Sequence, residues 1–298
     1  MTIAYTFYVF YRAILKIQDA NANLFIHLNS FKNCVMKKLV VVIPAYRKLE
    51  DIEKKIIHNN HNKLHNYDFS FVVPEGMDTK ELETEFPQIG LVTVSNRWLG
   101  VNLGVKGYNE MMMSKTFYQM FPNYEYMLIC HSDAWVFEDK MEEWLSKGYD
   151  IVAAPWILRP HSWSNIEWKI LREGNIFSKI FIKCFPNCIN TEYRDYSIGN
   201  GGFSLRKISS IIAICDEEKH LIDNYIKQNE AAYNEDVFWS QFQGRLKYPS
   251  LDEALSFAID THPWLCLQIN KNNLPMACHG FYKRRSRRTL WKKNIHIL

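Results

Sequence analysis

The sequence predicts an α/β fold built on a mostly parallel sheet, and three observations predict it. Short apolar runs rich in β-branched residues recur through the first half of the chain. Segments with apolar residues at helical spacing separate them, so strands alternate with helices, the pattern of parallel crossover units. No run approaches the roughly 18 consecutive apolar residues that a membrane span needs.

The elements follow in order. "KKLVVVIPAYRK" (Lys37 to Lys48) is a buried strand stopped by Pro44. From Leu49, Ile52, Ile56 and Ile57 recur at helical spacing. "DFSFVVPEG" (Asp68 to Gly76) is a second strand ending in a turn, and "IGLVTVS" (Ile89 to Ser95) a third. Val105 to Phe121 reads as a helix and Tyr124 to Phe137 as a central strand. A short helix over Asp139 to Ser146 precedes another buried strand, Tyr149 to Trp156. Residues 157 to 197 are aromatic and basic without clean periodicity, and 206 to 227 look helical. Ser250 and Glu253 stand at capping-box spacing, which starts a helix there.

With 298 residues, 47% hydrophobic and 14% aromatic, the chain can bury one large core or two small ones. No Gly/Ser linker divides it, so residues 37–283 read as one domain, 1–36 as an N-terminal helical extension and 284–298 as a basic tail. A net charge of +4 does not call for nucleic acid, and no recognition motif accompanies the basic stretch. That stretch, "KRRSRRTLWKK" (Lys283 to Lys293), is either a solvated tail or an attachment to an anionic membrane face. "MTIAYTFYVFYR" has neither a basic start nor a cleavage site, so it reads poorly as a secretory signal. Seven cysteines without a C-x-x-C pair suit buried thiols in a reducing compartment, and the cytoplasm is the expected location.

Ligands of a parallel α/β sheet collect at the carboxyl ends of its strands. Tyr46, Arg47, Glu75, His131 and Asp133 stand there. No G-x-G-x-x-G and no P-loop lysine motif occurs, which disfavours ordinary dinucleotide and ATP sites. In an extended "HSD", His131 and Asp133 face the same side and can share a divalent ion. The alternative is a strand-end aspartate capping the next turn. "NED" has two readings as well: Asn234 as N-cap with acidic residues favoured by the helix dipole, or Asp236 as a general base. Three of twelve glycines fall at Gly199, Gly201 and Gly202, where the backbone must take positive φ or lie very close to another group.

The succession "VVVIPAYR", "KGYNEMM", "DIVAAPW", "GNGGFSLR", "NEDVFWS" and "CHGFYK" resembles a family of mostly uncharacterised GT-A-type, nucleotide-sugar-dependent glycosyltransferases over roughly residues 37–283. The resemblance implies a three-layer sandwich and hexosyl transfer of the inverting kind, as in polysaccharide biosynthesis. Asp236 would deprotonate the acceptor hydroxyl and Glu235 would hold sugar hydroxyls. Pro44, Tyr46, Arg47, Glu75, Lys106, Asn109, Ser132 and Asp133 would bind the donor. Asn200, Gly201, Gly202, Trp156 and Trp239 would line the sugar and acceptor pocket, the glycines letting backbone approach a sugar. His131 and Asp133 take the place of a D-x-D motif and His279 completes the metal site, for Mn²⁺ or Mg²⁺. His131 removes one negative charge from that motif, which puts the metal in question. Arg47, Lys106 or Arg206 would then help balance the leaving phosphates, although Arg206 reads better as a surface residue at a helix start and Lys106 as an exposed helical lysine. The partners implied are a nucleotide sugar and a glycan or lipid-linked acceptor, with the enzyme peripheral to the membrane. Aromatics Trp163, Trp168, Phe177, Phe181 and Tyr193 belong either to an acceptor lid or to core. Two other readings share the layout: a sugar-nucleotide nucleotidyltransferase, disfavoured because "PAYRKLED" lacks glycine, and a non-catalytic carbohydrate-binding scaffold.

Overall fold

The computed structural model describes residues 36–100, 102–158, 176, 180, 195–228 and 233–298. The expected N-terminal helical extension and all five candidate lid aromatics lie outside the described residues. The elements are β1 (Lys37–Pro44), α1 (Asp51–Lys63), β2 (Asp68–Pro74), α2 (Lys80–Glu85), β3 (Gly90–Val94), α3 (Val105–Met112), α4 (Lys115–Gln119), β4 (Tyr124–Cys130), β5 (Ala134–Val136), α5 (Met141–Ser146) and β6 (Ile151–Ala153). Then come β7 (Pro155–Leu158), β8 (Asp195–Ile198), β9 (Phe203–Lys207), α6 (Ile208–Glu217), α7 (Lys219–Lys227), α8 (Glu235–Trp239), α9 (Leu251–Phe257), β10 (Ala258–Ile259), α10 (Pro263–Ile269), β11 (Ala277–His279) and α11 (Arg285–Trp291).

The main sheet is mostly parallel, with order β3-β2-β1-β4-β9-β6. Strands β1, β2 and β3 pair in parallel, while β9 runs antiparallel to both β4 and β6. In β1, Leu39, Val41 and Ile43 pack with α1, α2 and α5, and Val40 and Val42 pack with α3, α4 and α6. Side chains alternate along a strand, so a run apolar at every position must be covered on both faces. Helix, sheet and helix form three layers, as expected. A smaller sheet, β10-β11-β5, and an antiparallel pair, β7 and β8, complete the strands among the described residues.

Several boundaries differ from expectation. The helix over Val105 to Phe121 is two, α3 and α4, separated at Met113 and Ser114. The strand over Tyr124 to Phe137 is also two, divided by a turn in which Ala134 N–H donates to His131 C=O at 3.0 Å. Arg206 ends neither a loop nor a helix start but lies within β9. Phe203 and Leu205 alternate with Ser204 and Arg206 as a strand requires, but both faces are covered: Ser204 and Arg206 are 0% exposed. Ser250 and Glu253 do form the expected capping box of α9.

The basic C-terminal segment is no detached tail. It forms α11, and Trp291 and Ile295, each 1% exposed, pack into a core shared with Ile56, Trp135 and Phe281. Burying such side chains stabilises by about 1.5–3 kcal/mol each, enough to hold a short basic helix on the domain.

Candidate active site

Where β4 stops, the chain turns through His131, Ser132 and Asp133, so these residues are not extended. Their convergence comes from tertiary pairing instead. His131 N–H donates to Gly202 C=O at 2.9 Å, and Gly280 N–H donates to Asp133 C=O at 3.0 Å. Antiparallel pairing of β11 with β5 sets His279 opposite Ala134. One ligand atom from each of His131, Asp133 and His279 then lies within 4.8 Å of the others.

Asp133, 6% exposed, is flanked by cations. His279 Nε2 is 3.0 Å from its Oδ1, and Lys283 Nζ is 2.6 Å from its Oδ2. On the other side of the ring, His279 Nδ1 lies 3.5 Å from Asp260 Oδ1. These are ion-pair distances without hydrogen-bond alignment: Asp133 Oδ2 and both ring nitrogens of His279 are buried without a hydrogen bond. Burial alone would raise the Asp133 carboxyl, but His279 and Lys283 hold it well below the usual range. Burial opposes the charge on His279, and the two carboxylates overcome it, pushing its pKa to about 9. Burial and the charge of His279 push His131 down to about 4, which leaves it neutral at pH 7. Tyr108 Oη shares a hydrogen bond of 2.8 Å with His131 Nε2.

This donor set fits a divalent ion. One carboxylate and two imidazoles suit manganese better than magnesium, which prefers oxygen. A carboxylate on the outer nitrogen of a ligating histidine, here Asp260, is a common orienting contact.

The glycine-rich segment joins this cluster to the acidic pair. A Cβ on Gly202 would lie 2.2 Å from the His279 ring, one on Gly201 2.0 Å from Glu235 Oε1, and one on Gly199 2.2 Å from the Asp236 carbonyl oxygen. None of the three takes positive φ. They are glycines because the protein's own groups occupy the side-chain space. Asn200, 7% exposed, braces the segment, accepting from Gly202 N–H at 3.0 Å and donating to Asp260 at 2.8 Å.

Glu235 and Arg206 form a buried ion pair of 2.8 Å, with side chains 3% and 1% exposed. Arg206 also donates to Tyr118 Oη at 2.8 Å and to Ser204 Oγ at 3.1 Å. The exposed-residue reading of Arg206 is therefore corrected. Glu235 is a poor candidate for holding sugar hydroxyls, since its carboxylate braces Arg206 and abuts Gly201. Burial pushes its pKa to about 7 against the pull of Arg206. Asp236 differs: it is partly exposed, and among the described residues no basic side chain pairs with it. Val237 N–H donates to its Oδ1 at 2.8 Å, and burial raises its pKa. Asn234 is the N-cap of α8, as expected, though its side chain accepts from Asn109 at 2.9 Å rather than from the helix. Asn109 in turn accepts from Glu235 N–H at 3.2 Å. Asn109 thus positions α8. Trp239 is corrected too: it is 0% exposed and donates to Met112 C=O at 3.1 Å, so it is core and lines no open pocket.

Residues 88–279 match the family described as Protein of unknown function (DUF5672). The chain belongs to DUF5672. The DUF5672 region holds the whole triad, Asp260, the glycine segment and the acidic pair, whereas Lys283 and Arg287 follow it. No curated protein matches the chain. Similar solved structures include the apo WbbM bifunctional glycosyltransferase (TM-score 0.42, 14% identity, covering 82% of this chain and 46% of that one). Another is the galactosyltransferase LgtC with donor and acceptor sugar analogues (0.45, 12%, 80% and 86%). A third is a glycosyltransferase involved in glycosylating the major capsid of PBCV-1 (0.42, 11%, 87% and 100%). The chain thus spans less than half of WbbM.

The remaining candidates sit around the strand ends. Arg47 grips buried Glu53 with two hydrogen bonds, of 2.8 and 3.1 Å, and Ser132 Oγ donates to the same carboxylate at 2.6 Å. Glu53 so ties the loop after β1 to the turn after β4. Tyr46 and Glu75 are exposed; Pro44, Lys106 and Trp156 are half-buried. A cavity of about 400 Å³ opens beside Arg47, lined among others by Lys48, Lys54, Glu81, Met77 and Phe86. Sequence reasoning missed Asp260, Tyr108, Glu53 and Arg287. Asp260 directly follows the apolar end of "SFAI", a faint signal of a strand-end acid.

Proposed function

We propose that this protein is a nucleotide-sugar-dependent glycosyltransferase that transfers a sugar, with inversion, to a hydroxyl of a glycan or lipid-linked acceptor. The observation that carries the reading is that one segment, residues 199–202, abuts both the acidic pair and the His131–Asp133–His279 cluster. The segment meets Asp236 at its backbone carbonyl and His279 at its ring, which supports placing the base and the diphosphate-binding group on one cleft. Asp236 accepts the proton of the acceptor hydroxyl. That oxygen bonds to the anomeric carbon as the bond to the diphosphate breaks, and the electron pair leaves with the nucleoside diphosphate. A divalent cation held by His131, Asp133 and His279 would supply positive charge to that leaving group. Arg206 and Glu235 hold the floor rigid, which preorganises the charges around the reacting atoms. Tyr46, Arg47 and the adjoining cavity are the natural seat of the nucleoside.

α11 and the residues at its ends leave Arg284, Arg285, Arg288, Lys292 and Lys293 exposed. No acidic residue lies between Gly280 and Leu298. This face is the part of the protein suited to an anionic membrane surface, where a lipid-linked acceptor would be met. Among the described residues no helix is long and apolar enough to cross a membrane.

A thermal-shift screen of sugar nucleotides, with and without Mn²⁺, tests the reading, since a ligand bound only by the native state raises its melting temperature. One sugar nucleotide stabilising the protein, more so with Mn²⁺, is expected. No stabilisation by any would overturn it.

A further inference from the structure

The C-terminal segment sends two cations to the two carboxylates that flank His279, and it holds them differently. Arg287 is fixed: its side chain is 17% exposed, and Nη1 lies 3.2 Å from both Asp260 Oδ1 and Gly280 C=O. Lys283 reaches Asp133 Oδ2 at 2.6 Å while its side chain stays 59% exposed. The first cation is part of the packing. The second can leave for water at little desolvation cost, because most of its stem is already wet.

We propose that Lys283 is an exchangeable counter-cation of Asp133. Its ammonium group shares the carboxylate with His279 in the metal-free protein and is displaced when a divalent ion enters the site. The inference rests on reading the triad as a metal centre and adds how that centre is controlled. Asp133 is the single carboxylate of the triad, because His131 stands where a second acid would bring another negative charge. In the metal-free site His279 stands against Oδ1 and Lys283 against Oδ2, and a buried carboxylate stripped of such partners is strongly penalised. Lysine serves that purpose as a compact charge on a flexible stem. The backbone keeps the substitute in reach: Gly280, at φ 62°, turns the chain directly after His279, and its N–H is anchored on Asp133 C=O. A divalent ion on Asp133 and an ammonium group 2.6 Å from its Oδ2 repel each other and compete for the same negative charge. Metal affinity is then set by competition, and a ligand that draws Lys283 away from Asp133 strengthens metal binding by linkage.

The test is Mn²⁺ binding to the full chain, read from the electron paramagnetic resonance signal of free Mn²⁺, with no donor or acceptor present. Lys283→Met is expected to bind about fivefold more tightly than the wild type, the size of an exposed ion pair removed. Lys283→Arg, which keeps the charge, should stay near the wild type, and Asp133→Asn should lose the site. Circular dichroism confirms that each variant is folded. Equal or weaker binding by Lys283→Met, in a protein whose wild-type binding Asp133→Asn abolishes, would overturn the competition and leave the metal centre standing. Tightening by Lys283→Arg equal to that of Lys283→Met would overturn it as well. Binding by neither wild type nor Lys283→Met would remove the metal centre and the proposal together.

Discussion

Gly202 carries no side chain because the ring of His279 stands where one would be: a Cβ there would lie 2.2 Å from both Cε1 and Nε2. The two residues are far apart in sequence and meet because β4 pairs with β9 while β5, the strand after β4, pairs with β11. Overpacking of this kind costs about 1–3 kcal/mol when neighbours shift to admit a methyl group. Gly202→Ala should therefore lower stability to urea by that amount and weaken Mn²⁺ binding, since the group that must yield is a proposed ligand. An unchanged midpoint with unchanged metal affinity would mean that the ring steps aside freely.

The proposed mechanism makes Asp236 the base. Asp236→Asn keeps the shape and removes the base, so transfer should fall by about 10²–10⁴-fold. Stabilisation by the donor in a thermal-shift assay should persist. Near-normal turnover in this variant would take Asp236 out of the mechanism.

The Arg206–Glu235 pair should behave as a buried ion pair. Removing one partner strands a charge, at about 3–5 kcal/mol, whereas removing both strands none. Arg206→Met should be severely destabilised, and the Arg206→Met, Glu235→Met double variant should lose clearly less than the sum of the two single variants. Additive losses in a denaturant-based double-mutant cycle would show that the two side chains act independently.

The same site predicts a pH dependence. Burial raises the Glu235 pKa from 4.5 to about 7, so the folded state holds this proton more tightly than the unfolded chain. That contribution to stability is complete below pH 4.5 and is lost as pH rises through about 7. Glu235→Gln cannot titrate, and its stability should fall less than that of the wild type over this interval. Parallel profiles for the two proteins would contradict the assignment.

Deleting the C-terminal segment would remove buried Trp291 and Ile295 and damage the core. Neutralising only its exposed cations is the cleaner probe of membrane attachment. Replacing Arg284, Arg285, Lys292 and Lys293 by glutamine should reduce binding to phosphatidylserine vesicles by about 1 kcal/mol per residue at low salt. Equal co-sedimentation of variant and wild type would exclude this face.

Much of the architecture is written locally. The all-apolar run of β1 announces a strand covered on both faces, and Ser250 with Glu253 marks the start of α9, because each signal needs only neighbours along the chain. The order of "GNGG", "NED" and "CHG" likewise picks out the segments that assemble. What those residues do to one another was decided by the tertiary structure. The glycines suggested an approaching ligand, yet the space beside them is filled by Glu235, His279 and the backbone of α8. Arg206 suggested a surface residue, yet it is sealed between Glu235 and Tyr118. Asp260 drew no notice until β10 and β11 set it beside His279. The basic end of the chain suggested a loose tail, but Trp291 and Ile295 anchor it and deliver Lys283 to Asp133. The physical reason is common to all four. Periodicity and capping report how a segment meets water or core, whereas the charge state and task of a buried polar group depend on its partners. Those partners come from strands and helices that meet only when the sheet is complete.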